Sequence, residues 1–487
     1  MITFIAGLLI LFFGYIFYSK YTERQFGADD TPPPSERLKD GVDFIPIGTG
    51  KNMLIHLLNI AGLGPLLGAV QGVLFGPIAF ILIPLGCVLM GGVHDYFAGM
   101  LSVRNNGAQI TELIKKYLGN GFYRFFIITA SFMMLLVAAV FVYTAGDIAA
   151  ERFFAQNDFS ISNPVIVTIY AAIALYYIIA ALLPIDKIIG RFYPIFAMLL
   201  LAGTFLVLAG FFKNGVILQN IDFSALNQHP DGRHILPMFF MTVSCGLLSG
   251  FHSTQASIIS RTLKTEKDGR KVFFGMMCAE SLIAMIWAAG AMHVYSLNLV
   301  PPNMIGTANV INSITNVFVI PYLAFIVTLA VVILPITSGD TALRGLRMII
   351  AEAFSLPQKP VKNRLLIMIP AAVFVTGIIL WAKMHNDSFS LVWRYFNFGN
   401  QLIAVPAFLY ASVYLYQKKK NYLMTFIPGL FYIFITSSFI LNSPIGFNLD
   451  YKTAQAAAIL VTIISAAAIY RTKIVCKREE NQYLSKL

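Results

Sequence analysis

Polar residues that could bind a ligand are concentrated in one apolar stretch, residues 234–261, with the sequence HILPMFFMTVSCGLLSGFHSTQASIISR. The stretch is long enough to cross a bilayer, yet lipid cannot hydrogen-bond its polar groups, so these must face protein, water or a ligand. Glycines also interrupt it, which is typical of a broken transporter helix whose freed backbone groups bind substrate. We therefore predict a substrate site that includes Ser249, His252, Ser253, Thr254 and Gln255.

A second interrupted segment lies near the N-terminus, where residues 59–68 read NIAGLGPLLG. Gly62, Gly64 and Pro65 weaken helical geometry, because glycine is conformationally free and proline lacks a backbone donor. Glycines in membrane helices can also serve close helix packing. The proline here and the polar cluster in the first stretch favour two broken helices, and we add Gly62, Gly64 and Pro65 to the predicted site.

The polar residues of the site have simpler explanations too. Serine and threonine often donate hydrogen bonds back to their own helix. His252 could be a cationic contact to substrate, a proton carrier or a hydrogen-bonded core histidine. The residue types alone leave these alternatives open.

Ionisable residues inside apolar segments are the candidates for ion coupling. His94 and Asp95 lie together in one segment and Glu280 lies deep in another. A buried acid is costly to ionise, so it is paired, protonated or coupled to an ion. We predict proton coupling through these three residues, with a structural pair of Asp95 with His94 or Arg104 as the alternative.

Composition restricts the class of protein. Hydrophobic residues make up 57% of the 487 residues and charged residues only 12%, which excludes an ordinary soluble domain. The cysteines and histidines show no ligand spacing, so we expect neither a disulfide framework nor a metal site. No G-x-x-x-x-G-K-[ST] motif for nucleotide hydrolysis is present, and no catalytic constellation indicates an enzyme. The expected partners are the lipid bilayer and a small-molecule substrate, and no nucleic acid.

Hydropathy predicts an all-α polytopic membrane protein with about 13 transmembrane helices. An N-terminus outside and a cytoplasmic C-terminus place most of the 35 Lys and Arg residues in the cytoplasm. The second to sixth and seventh to eleventh segments form two sets of five that start on opposite sides, which indicates a 5+5 inverted repeat. We divide the chain into an extra first helix (1–20), a cytoplasmic loop (21–51), the first repeat (52–212), the second repeat (235–416), two additional helices (421–470) and a cytoplasmic tail (471–487).

Several motifs resemble those of the carbon starvation protein A family. They are PPPSERLKDGVDFIP from Pro32, GLGP from Gly62, HDYFAGMLSVRNNG from His94, GFHSTQASIISRTLKTEKDGRKVFFGMMCAE from Gly250, SGDTALRGLRMIIAE from Ser338 and WRYFNFGNQLIAVPA from Trp393. The resemblance implies a transporter of the bacterial or archaeal inner membrane with a LeuT-like core, related to the amino acid, polyamine and organocation superfamily. Members are associated with uptake of pyruvate by proton symport, or of peptides.

Two departures from the family pattern concern substrate choice. The family's paired histidines before the glycine break are here Ile55 and His56, so the first histidine is missing, and many relatives extend further toward the C-terminus. The resemblance also draws attention to Thr337, Ser338 and Asp340, which match the position where LeuT-type proteins bind sodium through oxygen ligands. The alternative for this group is the N-cap of an interfacial helix.

The sequence thus predicts a gradient-driven uptake carrier for a small nutrient, with pyruvate or a related carboxylate and proton symport preferred. Peptide or amino-acid uptake and sodium coupling are the alternatives. No cofactor is expected. Asn397, Asn400 and Gln401, which could line an outer vestibule, receive no site assignment.

Overall fold

The computed structural model describes residues 1–41, 44–62, 64–156, 158–182, 185–302, 305, 308–358, 360–385 and 388–475. Every regular element in these ranges is helical. We label the principal helices α1 (Ile2–Phe26), α2 (Thr49–Ile60), α3 (Gly64–Phe75), α4 (Ala79–Arg104), α5 (Ile110–Leu118), α6 (Asn120–Phe154), α7 (Pro164–Leu182), α8 (Ile185–Lys213), α9 (Ile235–Thr242), α10 (Phe251–Ser260), α11 (Glu266–Ser296), α12 (Ala308–Phe318), α13 (Pro321–Ala353), α14 (Val361–Met384), α15 (Ser388–Gln417), α16 (Leu423–Asn442) and α17 (Tyr451–Ile469).

The apolar segments fold as helices because a chain in lipid must satisfy its backbone hydrogen bonds internally. Ten helices in the described ranges are long and apolar enough to cross a membrane, and the bent pair α2 and α3 raises the number to 11. Two other predicted segments are shorter. One of them is α7. The other consists of α9 and α10, and each of these two helices alone is too short to span a membrane.

Both interruptions predicted from the glycines are present. The axes of α2 and α3 are bent by 58°. Between α9 and α10 the chain is not helical from Val243 to Gly250, and Gly246 has a φ of +81°, which disfavours residues with a side chain. The glycines therefore mark real breaks in the helices.

Two long helices form the other part of the molecule. α6 has 35 residues, α13 has 33, and they pack along one another. Gly339 of α13 permits close packing, because a Cβ there would lie only 2.0 Å from the hydroxyl oxygen of Tyr177 in α7. These helices run without interruption past the level of the breaks.

The course of α13 corrects one expectation. Thr337, Ser338 and Asp340 do not cap a new helix, because α13 continues through them to Ala353. The Ser-Gly-Asp-Thr sequence has the composition of a helix start, but Gly339 here serves packing against Tyr177. The N-cap interpretation was therefore wrong.

The segment after α1 forms a strap, residues 27–37, across the ends of α4 and α11. Arg104 of α4 donates to the Gly27 carbonyl and binds Glu266 of α11 at 2.9 Å. Ser35 donates a hydrogen bond to the Leu263 carbonyl. Hydrogen bonds from the Thr31 side chain and backbone lower the pKa of Asp29, which also pairs with Arg104 at 3.3 Å. The strap thus joins the N-terminal helix to the loop that follows α10.

Candidate functional site

The two helix interruptions contact each other in the interior of the protein. A Cβ on Gly64 would lie 2.2 Å from both Cβ and Sγ of Cys245, so the absence of a side chain permits this approach. A Cβ on Gly68 would lie 3.0 Å from the Thr242 carbonyl oxygen. Gly64 and Pro65 therefore lie next to the unwound segment between α9 and α10, whereas Gly62 faces Phe141 of α6 and Ser338 of α13.

Three amide side chains of α15 hold the unwound segment. Ser244 donates to Oδ1 of Asn397 at 2.9 Å. Oδ1 of Asn400 accepts hydrogen bonds from the Ser249 hydroxyl at 3.0 Å and from the backbone N–H of Phe251 at 2.9 Å. Because buried backbone groups need partners, Asn400 acts as the cap that lets α10 begin at this point.

The third amide, Gln401, donates to one backbone carbonyl before the break and to one within it. Its Nε2 lies 3.0 Å from the Phe240 oxygen and 3.3 Å from the Leu248 oxygen. The clamp formed by Asn397, Asn400 and Gln401 thus replaces the helical hydrogen bonds that the break removes. These residues lie about 150 positions from their partners in the chain, and only their amide side chains in an apolar segment could have suggested the role.

The predicted hydroxyl ligands of α10 bond locally. Ser253 donates to the Gly250 carbonyl at 2.6 Å, and Thr254 donates to the Phe251 carbonyl at 2.7 Å. Gln255 donates to the Thr254 hydroxyl, and its Oε1 is buried with no hydrogen-bond partner among the described residues. The two hydroxyls follow the local pattern that we left open, whereas Gln255 retains a free acceptor.

A continuous chain of ionisable side chains crosses the centre from α4 to α11. Nδ1 of His94 lies 3.1 Å from Oδ1 of Asp95, and Nδ1 of His252 lies 3.2 Å from Oδ2 of the same carboxylate. On its other side, Nε2 of His252 lies 3.7 Å from Oε2 of Glu280. All four side chains are buried, so the centre is closed to solvent in this conformation. Asp95 is therefore shared by two histidines.

Arg104, considered as a partner of Asp95 from the sequence, binds Glu266 and the strap instead. The structure thus brings together His94, Asp95, His252 and Glu280, and only the pairing of His94 with Asp95 could be anticipated from adjacency.

The group at Thr337, Ser338 and Asp340 lies on α13, facing the first interruption. A Cβ on Gly62 would be 3.3 Å from Oγ of Ser338. Thr337 donates to backbone carbonyls of its own helix. Asp340 accepts hydrogen bonds from Tyr193 at 3.1 Å and Tyr176 at 3.4 Å. The tyrosines therefore hold only Oδ2 of Asp340, while Oδ1 of Asp340 and Oγ of Ser338 are buried with no hydrogen-bond partner among the described residues.

One possible metal-ligand group was missed by the sequence reasoning. Cys245, His252 and Glu280 each offer one ligand atom, and these atoms lie within 4.8 Å of one another. No sequence motif indicates it, because Glu280 comes from a different helix and a cysteine seven residues before a histidine matches no common metal motif.

Comparison with known proteins gives the relatives of this chain. The family model for carbon starvation protein CstA matches residues 1–161, 143–316 and 300–438. A peptide transporter CstA of Bacillus subtilis is 23% identical over 89% of this chain and 89% of its own length. A pyruvate/proton symporter BtsT of Escherichia coli is 26% identical, over 58% of this chain and 47% of its own length. An uncharacterized membrane protein of Haemophilus influenzae is 35% identical, over 61% of this chain and 91% of its own length.

Solved structures show the same fold. A manganese transporter of Eremococcus coleocola superimposes with a TM-score of 0.59, at 12% identity, over 90% of this chain and 98% of its own. MhsT, solved in complex with L-phenylalanine, gives a TM-score of 0.57 at 16% identity, over 85% of this chain and 98% of its own. The fold of this multi-pass membrane protein is thus that of LeuT-like transporters.

Proposed function

The chain belongs to the carbon starvation protein CstA family, and from this premise we propose that it is a secondary active uptake transporter for a small carboxylate such as pyruvate, coupled to protons. The observation that carries the proposal is the contact between two interrupted helices at Gly64 and Cys245, beside a buried chain of ionisable groups. A channel needs no such occluded centre, whereas alternating access requires one.

The substrate class follows from the chemistry at the breaks. α10 begins at the break, so the positive end of its helix dipole lies there and favours a carboxylate, whereas its first N–H groups, from Phe251 to Ser253, are already hydrogen-bonded. Gln255 keeps a buried acceptor for a hydrogen-bond donor such as a peptide N–H. This acceptor, with the peptide transporters among the relatives, supports di- or tripeptide uptake as the second candidate.

Proton coupling is preferred because of the groups that surround the break. His252 links Asp95 to Glu280, so a proton gained or lost at one of them is felt directly by the others. Sodium coupling at Thr337, Ser338 and Asp340 is the alternative: Thr337 bonds to its own helix and the tyrosines bind Oδ2 of Asp340, but Oδ1 of Asp340 and Oγ of Ser338 are buried with no hydrogen-bond partner among the described residues. Neither route involves an enzymatic reaction.

We further propose the arrangement of the chain in the membrane. Thirteen spans, with the α2–α3 and α9–α10 pairs each counted as one, form a 5+5 inverted repeat with one extra helix before it and two after. The N-terminus lies on the outer side of the membrane and the C-terminus lies in the cytoplasm. Part of the C-terminal tail is not among the described residues. The membrane is the bacterial or archaeal inner membrane, where the positive charges lie on the cytoplasmic side.

Reconstitution of the purified protein into liposomes tests the proposal. Uptake of labelled pyruvate and of a labelled dipeptide is compared, with proton and sodium gradients imposed separately. We expect accumulation of pyruvate driven by the proton gradient and accelerated efflux of labelled substrate when unlabelled substrate is added opposite. Accumulation of the dipeptide alone would select the second candidate. Flux without such acceleration would indicate a channel and contradict the carrier mechanism.

A further inference from the structure

The cluster of Cys245, His252 and Glu280 has the features of a metal-binding site. We infer that these three residues bind one divalent cation of borderline or soft character, of which Zn²⁺ is the representative, at the contact between the two interrupted helices. The inference goes beyond the proposed function, because binding is a property of the purified protein whether or not it transports a substrate.

The spacing of the ligand atoms suits a single ion. Two nitrogen or oxygen ligands of a tetrahedral Zn²⁺ are separated by roughly 3.3 Å, and a nitrogen and a sulfur ligand by roughly 3.6 Å. Nε2 of His252 and Oε2 of Glu280 are 3.7 Å apart, too far for a hydrogen bond but close to the separation of two ligands. The Cys245 sulfur completes a group in which the atoms lie within 4.8 Å of one another. Small side-chain rotations would bring all three onto one ion.

The same atoms lack other partners, which is a separate observation. Nε2 of His252 and both carboxylate oxygens of Glu280 are buried, and no residue in the described ranges meets them with the distance and angle of a full hydrogen bond. The Cys245 side chain lies against His252, and the Gly246 backbone lies against Glu280, only as weaker contacts. Buried polar groups without partners are rare and costly, so their presence in a group calls for an explanation such as a bound ion or water. An ion at this point would satisfy the imidazole and the carboxylate together.

The rest of the cluster orients the histidine in the way that metal ligands require. Nδ1 of His252 contacts Asp95 at 3.2 Å, which leaves Nε2 directed toward Glu280 and Cys245. A carboxylate behind a ligating histidine fixes the ring and raises its basicity. Asp95 is therefore a positioning residue for the proposed site.

The ligand types define the class of ion. Thiolate and imidazole select Zn²⁺ and related ions such as Co²⁺ and Cd²⁺, whereas Na⁺, Mg²⁺ and Ca²⁺ prefer oxygen ligands. Three protein ligands leave a fourth position of a tetrahedral ion open to water or a substrate oxygen. This site is thus chemically different from an oxygen-lined sodium site.

Titration of the purified, chelator-treated protein with Zn²⁺ in a calorimeter tests the inference. We expect one saturable site per chain, and we expect Cys245→Ser and Glu280→Gln to weaken it by more than about tenfold, the loss seen when even an outer partner of a ligand is removed. Cys87→Ser is the matched control, because Cys87 is equally buried but bonds to the Met277 carbonyl. Absence of saturable binding to the unmodified protein would overturn the inference. Equal weakening by Cys87→Ser would do the same.

A spectroscopic measurement covers the case in which a variant folds poorly. Co²⁺ bound to a thiolate gives a charge-transfer absorption band, which the unmodified protein should show at one equivalent. Cys245→Ser protein that elutes as a single species in gel filtration should lack this band. A band of equal intensity in Cys245→Ser would show that the ion binds elsewhere. Failure of pyruvate or peptide uptake has no bearing on these measurements, so the two proposals fail independently.

Discussion

Replacing Gly64 by alanine perturbs the contact between the two interrupted helices with a single methyl group. The new Cβ would lie 2.2 Å from Cβ and Sγ of Cys245, whereas non-bonded carbon atoms prefer separations of about 3.5–4.0 Å. The two breaks would have to separate by more than about 1 Å to accommodate it. Overpacking of this kind costs about 1–3 kcal/mol.

This cost applies to the closed conformation, in which the breaks touch. If every transport cycle passes through that conformation, its population falls by about 5- to 150-fold, which corresponds to 1–3 kcal/mol. We therefore expect the initial rate of uptake into proteoliposomes to fall within this range, while the protein still reaches the membrane. Gly62→Ala is a milder overpacking variant at a different contact, because a Cβ on Gly62 meets Phe141 of α6 at 2.9 Å and not the facing interruption.

Gly377→Ala is the matched control. Gly377 lies inside α14, and apart from the backbone of its own helix and its two neighbours in the chain, no described heavy atom lies within 4 Å of a Cβ built on it. Uptake should decrease in the order Gly377→Ala, Gly62→Ala, Gly64→Ala, with the first equal to the unmodified protein. If Gly64→Ala transports as fast as Gly377→Ala, the contact between the interruptions is not needed and the reasoning fails.

Three further predictions concern the surroundings of the site. Asp95→Asn should abolish proton-driven accumulation yet retain exchange of labelled for unlabelled substrate, and accumulation with unchanged pH dependence would contradict coupling through this residue. Asn400→Ala removes the cap of α10 and should lower the free energy of unfolding in detergent by about 1–2 kcal/mol. Asn397→Ala loses a single hydrogen bond and should lower it less. Thermal melts that show Asn397→Ala to be the less stable variant would contradict the role of Asn400 as the cap. Glu266→Ala removes the partner of Arg104, so it should loosen the strap and speed tryptic cleavage within the strap. Lys267→Ala is the control: it breaks only the exposed pair with Asp30, worth about 0–1 kcal/mol, and should leave the cleavage rate unchanged.

The sequence was sufficient for the features that depend on local physics. Hydropathy indicated helices of spanning length, and glycine with proline marked the break near Gly64, because both act on the backbone of their own segment. The same reasoning anticipated the break before Phe251 and the burial of Glu280. The number of spans and their orientation stay predictions.

Contacts between residues far apart in the chain could not be predicted from the sequence. Nothing in the chain indicates that Asn400 meets Phe251 or that His252 lies between Asp95 and Glu280, since these contacts depend on how separate helices cross. The N-cap interpretation of Thr337, Ser338 and Asp340 was wrong for a related reason. A local Ser-Gly-Asp-Thr sequence suggests a cap, but tertiary packing of Gly339 against Tyr177 overrides that preference.

The two long uninterrupted helices have a mechanical consequence. At 1.5 Å per residue, α6 and α13 are each about 50 Å long, whereas the hydrocarbon layer measures about 30 Å. Their ends therefore protrude beyond the lipid, where Thr111 of α5 donates a hydrogen bond to Glu352 of α13 at 2.8 Å. A closely packed pair of this length can serve as the stationary frame of the molecule, so that any rocking is borne by the hinged helices.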